Sequence, residues 1–154
     1  MNTADIAYQQ FCTDRFALPT EKQVADLERR IGVQFPDDYR EFLLTYNGGF
    51  FSEPDIVPPS KECPLDCLTF LNGIGATHPC AELGSDSDLA LFDDNDPPQI
   101  LPIGYTIMGN MLLLITHPED RGCIVLKKAS SDDSFLLAEG IEEFFGLLRE
   151  PLCD

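Results

Sequence analysis

Leu27–Phe50 reads LERRIGVQFPDDYREFLLTYNGGF, and this stretch decides the fold. Its first part closes one helix and its second part is another. Leu27 and Ile31 continue an apolar stripe that starts at Val24, giving i, i+3 and i+7 on one helical face. Upstream, Thr20 and Gln23 form a capping-box pair, in which each side chain satisfies a free backbone N–H. Gly32 supplies the left-handed stop. Pro36 then opens the second helix in its first turn, where a missing N–H costs nothing. Asp37 and Asp38 follow where the helix dipole favours anions. Tyr39, Phe42, Leu43 and Tyr46 repeat at i, i+3, i+4 and i+7, and Asn47-Gly48-Gly49 ends the helix because Asn and Gly accept positive φ cheaply.

Working outward, residues 1–19 read as an entry segment with a short helix at Ile6–Phe11. Residues 53–66 hold Pro54, Pro58, Pro59 and Pro64, which forbids a central strand and predicts a loop or a frayed edge. Leu68–Leu71 fits a short strand. Residues 81–98 are acidic and irregular, with one helical turn expected around Leu89–Phe92. Four strands follow: Ile100–Tyr105, Met111–Thr116, Cys123–Lys127 and Phe135–Ala138, separated by turn-forming runs. Met111–Ile115 is apolar without alternation, which predicts a central strand covered on both faces. Ile141, Phe144, Phe145 and Leu148 give the buried stripe of a last helix, stopped by Pro151. The order helix–helix–strands–helix predicts an α+β fold. It is read as a single domain over 1–154, with an N-terminal helix pair and a C-terminal helix packed on a mostly antiparallel sheet.

Composition narrows the function. The 154 residues include 27 Asp+Glu against 10 Lys+Arg, a net charge of −17. Between Lys61 and Arg121 there is no Lys or Arg, yet Glu62, Asp66, Glu82, Asp86, Asp88, Asp93, Asp94, Asp96, Glu119 and Asp120 all fall there. Such a surface repels nucleic acid and anionic membrane and attracts cationic partners. Mixed signs would serve solubility equally well, so the one-sided run points to a partner-facing field. The longest apolar run, Met111–Ile115, is far short of a membrane span. The N-terminus has no cationic stretch followed by an apolar one, so a cytoplasmic location and reduced thiols are expected for the six cysteines.

No catalytic constellation emerges. His78 and His117 each precede a proline, which favours extended or turn positions. No nucleophile elbow, P-loop or dinucleotide fingerprint is present. Cys63 and Cys67 with His78 and Cys80 carry zinc-type ligands, but one residue between His78 and Cys80 leaves little room for both on one tetrahedral ion. They read better as reduced, partly buried thiols. Asp93-Asp94-Asn95-Asp96 fails as an EF-hand: counting from Asp93 puts Pro98 at position 6 and Gly104 at position 12. We therefore expect no metal, no cofactor and no catalytic residue, and carboxylates that meet Arg or Lys on a partner.

Several blocks resemble the SUKH superfamily, which includes Smi/Knr-type cell-wall assembly regulators of yeast and many bacterial immunity proteins. They are Ile31-Gly32, Phe35-Pro36, Tyr39 and Asn47-Gly48-Gly49; then Leu101-Pro102-Ile103-Gly104 and Gly109-Asn110 before the strand Met111–Ile115; then Gly122–Leu126; and finally Ile141-Glu142-Glu143-Phe144-Phe145. The resemblance covers about residues 20–150. The recurring residues Gly32, Pro36, Tyr39, Asn47, Gly48, Gly49, Pro102, Gly104, Gly109 and Asn110 make sense as structure, with Gly48, Gly49, Gly104 and Gly109 expected at special backbone angles. The resemblance implies a non-enzymatic antidote to a cognate protein toxin, a secreted nuclease or another polymorphic toxin; a nuclease would be basic because it binds phosphate. It would be a monomer or weak homodimer that binds neither nucleic acid nor membrane. The expected toxin-binding acids are Glu53, Asp55, Glu82, Asp86, Asp88, Asp93, Asp94 and Asp96. The alternative is a regulatory or scaffold module like the yeast relatives.

Overall fold

The computed structural model describes residues 2–76, 78–90 and 98–151. Helix α1 spans Thr3–Phe11, longer than the expected Ile6–Phe11, because the Asn2 side chain accepts the Asp5 N–H and caps an earlier start. In α2 (Glu21–Ile31) both halves of the capping box form: Gln23 N donates to Thr20 Oγ1 at 3.1 Å, and Thr20 N donates to Gln23 Oε1 at 2.8 Å. Gly32, at φ +79°, ends α2. Helix α3 is Asp37–Thr45. Pro36 sits at its N-cap, not in its first turn, because its ψ of 150° is extended.

The described strands are β1 (Cys12–Asp14), β2 (Gly49–Phe51), β3 (Asp55–Ile56), β4 (Asp66–Leu71), β5 (Ile100–Thr106), β6 (Met111–Ile115), β7 (Ile124–Lys127), β8 (Ser134–Ala138) and β9 (Leu148–Arg149). Helix α4 (Asp86–Ala90) precedes β5, and α5 (Ile141–Phe145) follows β8. The sheet order is β1-β2-β4-β5-β6-β7-β8, and β3 bridges β4 to β9. All these pairings are antiparallel. Leu148, expected in the last helix, belongs instead to β9. Gly146 accordingly closes α5, with its N–H on the Glu143 and Phe144 carbonyls, well before Pro151.

Residues paired across antiparallel strands share a face, so the register sorts the sheet into two sides. Leu68, Leu71, Leu112, Leu114, Ile124 and Leu126 face the helices. There they join Val24, Leu27 and Ile31 of α2, Tyr39, Phe42 and Leu43 of α3, Tyr8 of α1 and Phe144 of α5 in one buried cluster. Leu112, Leu113 and Leu114 are all buried, as expected of a strand flanked by β5 and β7. Two bulges reset the alternation. Thr69 is the extra residue between the pairs Leu68↔Thr106 and Phe70↔Tyr105, and Ile103 the extra one between Pro102↔Leu113 and Gly104↔Leu112.

The Asn-Gly-Gly turn is the seam between helices and sheet. Asn47, fully buried at φ +60°, donates from Nδ2 to the carbonyls of Ala17 and Ile74, both at 2.8 Å, and its Oδ1 accepts the Ile74 N–H at 2.8 Å. A Cβ on Gly48 would lie 2.5 Å from the Leu71 carbonyl oxygen, and one on Gly49 2.7 Å from that of Asp14. Gly104 is not at an unusual φ; a Cβ there would lie 2.8 Å from the Phe70 carbonyl oxygen, so close strand approach is what requires it. Gly109 (φ +82°) turns the β5–β6 hairpin, and Asn110 Nδ2 donates to the buried Asp66 carboxylate at 2.8 Å.

Candidate docking face

The side of the sheet away from the helices carries the candidate site. Pairing β2 to β4 to β5 to β6 puts Phe50, Phe70, Tyr105 and Met111 in one row across it. All four are half-buried. Ring centroids are 5.5 Å apart between Phe50 and Phe70 and 5.1 Å between Phe70 and Tyr105, so the aromatics form a continuous strip. The strip extends toward the end of the sheet at β3. Cys67 lies opposite Asp55 there, and the Ile107 N–H donates to the Cys67 carbonyl at 2.9 Å. Around that corner stand Val57 (45 % exposed), Leu65 (81 %), Ile107 (54 %) and Met108 (69 %). Four of the seven exposed large hydrophobics among the described residues thus meet at one corner, and such gathering marks interaction surfaces better than scattered exposure does.

The acids divide by environment. Asp55 is on this face and accepts the Cys67 thiol proton at Oδ1, 3.2 Å away. Burial pushes the Cys67 thiol up to about 11, and Asp55, Asp66 and Glu53 push the same way, so the sulfur stays protonated and is a poor nucleophile or metal ligand. Glu53 is exposed at φ +60° just before β3. Asp86 is exposed at the start of α4, 3.9 Å from Arg30, an exposed pair of the kind that contributes little. Asp88 is different. It is 8 % exposed, and it accepts from Asn72 Nδ2 at 3.3 Å and from the Tyr105 hydroxyl at 3.4 Å. Burial raises its pKa, with these two hydrogen bonds opposing. The Tyr105 hydroxyl goes up to about 12, through burial and then the Asp88 charge. Glu82 likewise turns inward, its two oxygens accepting the N–H groups of Gly75 at 2.9 Å and Ala76 at 3.0 Å. Asp93, Asp94 and Asp96 lie outside the described residues.

Asp55, opposite Cys67, and Tyr105, opposite Phe70, are three β4 residues apart, roughly 10 Å of backbone at the strand rise per residue. Lys127 belongs to the same face on β7, but its Nζ is held by the Lys128 and Ser131 carbonyls at 3.3 and 3.1 Å. Among the described residues no three His, Cys, Asp or Glu side chains gather as a metal site. His78 packs edge-on against Phe50 at 4.8 Å, Cys80 is exposed, Cys63 is buried, and His117 Nδ1 accepts the Glu119 N–H at 3.2 Å. Of the expected acids, Asp55 lies on this face and Glu53 and Asp86 are exposed, whereas the apolar strip was not expected from the sequence. The signal was the pair Phe50-Phe51, of which one must face out wherever the other faces the core.

Sequence comparison relates the chain to known proteins. The profile of the SMI1 / KNR4 family (SUKH-1) matches residues 18–146. The SPbeta prophage-derived uncharacterized protein YokK of Bacillus subtilis (strain 168) is 27% identical over 157 residues, covering 88% of this chain and 78% of that protein. The uncharacterized protein YnaB of the same strain is 52% identical over 27 residues, 18% of this chain and 19% of that protein.

Proposed function

The chain belongs to the SMI1 / KNR4 family (SUKH-1), and from that premise we propose that it is a non-enzymatic immunity protein that binds and neutralises a basic protein toxin. One observation carries the reading: a half-exposed aromatic and aliphatic strip on the outer sheet face has Asp55 at its β3 end and the exposed Glu53 just before that strand, in a chain that has no Lys or Arg from residue 62 to 120. An apolar centre with an acidic rim suits a protein surface that presents apolar side chains ringed by Arg and Lys. Toxins that act on nucleic acid carry such surfaces because they bind phosphate. The acids set the encounter rate and the strip sets the residence time. Asp88 and Glu82, turned inward, hold the rim in place, and Asp93, Asp94 and Asp96 add to the negative charge of the chain. The prophage origin in the name of one relative fits a protein carried for defence or competition.

Co-expression with the toxin domain encoded beside it tests the proposal. Growth should be rescued by the wild-type chain and lost with Phe70→Asp/Tyr105→Asp, which keeps the acidity and removes the strip. Complex formation without rescue would favour a regulatory module and count against immunity.

A further inference from the structure

A second recess lies on the helical side, away from the outer sheet face. It is a groove of about 300 Å³ between α1, α3 and α5. Its floor is apolar and aromatic: Phe42, Tyr46, Ile141 and Phe145, all buried. Its rim carries Asp5 from α1, Asp38 and Glu41 from α3, and Glu142 from α5. Three helices thus bring four carboxylates around one apolar floor, and no described lining residue is basic. Glu142 Oε1 accepts only a long bond of 3.4 Å from Thr3 Oγ1, and Asp38 and Glu41 are exposed.

One ring of the floor, Tyr46, already has a guanidinium beside it. Tyr46 stacks on Tyr8 with centroids 4.4 Å apart, and the Arg15 guanidinium carbon sits 5.3 Å from the Tyr8 centroid and 5.5 Å from that of Tyr46. Arg15 is held there by the Thr45 carbonyl at 3.0 Å. The groove offers a further cation Tyr46 together with Phe42 and Phe145, with carboxylates in place of a carbonyl.

We propose that this groove takes one arginine side chain of a protein partner, its alkyl stem on Phe42 and Phe145 and its guanidinium among Asp5, Asp38, Glu41 and Glu142. Arginine fits better than lysine because a planar, weakly hydrated fork both stacks on aromatics and bridges carboxylates. The assignment is independent of the immunity reading, since it uses another face and other residues.

The test is an amide-shift titration of the full chain with acetyl-Gly-Arg-Gly-amide and with its norleucine analogue. The arginine peptide should shift residues 2–5, 38–46 and 141–145 and saturate, and the norleucine peptide should not. Glu41→Gln/Glu142→Gln should weaken binding about fivefold at unchanged Tm. Thr45→Arg, which fills the groove from within and removes no acid, should abolish the shifts. Glu53→Gln/Asp55→Asn/Asp86→Asn should leave them as they are, so that failure here and failure of the outer face are separable. Shifts spread evenly over all acidic residues, equal responses to the two peptides, or undisturbed groove residues would each overturn the assignment.

Discussion

Asn47 and Asp86 are both polar residues at helix ends, and their surroundings are opposites. Asn47, just past α3, is fully buried with three hydrogen bonds of 2.8 Å to backbone groups more than 25 residues away in sequence. Asp86, opening α4, is exposed, and its ion pair with Arg30 is 3.9 Å long. The seam around Asn47, Gly48 and Gly73 spends its polar groups on the fold. Asp86 keeps its charge in solvent, with only a long exposed ion pair to Arg30. A buried polar group must be paired, because leaving it unpaired costs its full desolvation, whereas an exposed carboxylate is solvated and almost free to keep. The two regions should therefore respond oppositely to substitution.

The sharpest break of that contrast is Gly48→Ala. The new methyl would lie 2.5 and 2.6 Å from the Leu71 and Asn72 carbonyl oxygens, at a φ of +77° that penalises any side chain. We expect about 4 kcal/mol of lost stability, and a melting temperature lower by roughly 10 °C, in urea and thermal unfolding. Next is Asn47→Ala, which strands the Ala17 and Ile74 carbonyls and the Ile74 N–H. Its expected cost is about 3 kcal/mol by the same melts.

Asp88 lies between the extremes. Its folded carboxyl titrates above its unfolded value, so the native state holds the proton more tightly and stability falls as pH rises through that range. Asn72 Oδ1, beside it, is buried without a partner. Asp88→Asn removes the charge and lets the Asn72 amide turn so that its oxygen accepts a hydrogen. The variant should be about 1 kcal/mol more stable than wild type near pH 7. Urea melts should show the gap closing as pH falls through the raised range of the Asp88 carboxyl, where the wild-type group takes up its proton. The smallest effect belongs to the rim: Glu53→Gln/Asp55→Asn/Asp86→Asn should change stability by no more than about 0.5 kcal/mol in the same melts.

Much of the fold was legible because its signals are local. Thr20, Gln23 and Gly32 bound α2 within a dozen residues, and Tyr39, Phe42 and Leu43 show the buried face of α3 without any knowledge of the sheet. What was hidden depends on distant partners. Strand β1 is three residues, CTD, with a bulge and no apolar alternation, and only its pairing with Phe50 and Phe51 makes it a strand. Leu148 keeps helical spacing yet is drawn off by Ile56 into β9. The candidate site shows the same limit. Asp88 and Asp86 look alike in DSD, and nothing local says that the Tyr105 hydroxyl and the Asn72 amide will enclose one of them. The outer strip was invisible for a related reason: the bulges at Thr69 and Ile103 break the period-2 pattern that would have set Phe70 and Tyr105 apart from the core.

The central claim is that the outer face engages a basic protein through its acidic rim. The most direct test is the association rate with a basic toxin domain that the chain neutralises on co-expression, measured at low and high salt for wild type and for Glu53→Gln/Asp55→Asn/Asp86→Asn. The account predicts a wild-type rate that falls about tenfold or more as salt rises, and a variant that starts slower with a shallower slope. Equal rates and equal salt slopes for the two proteins would contradict it.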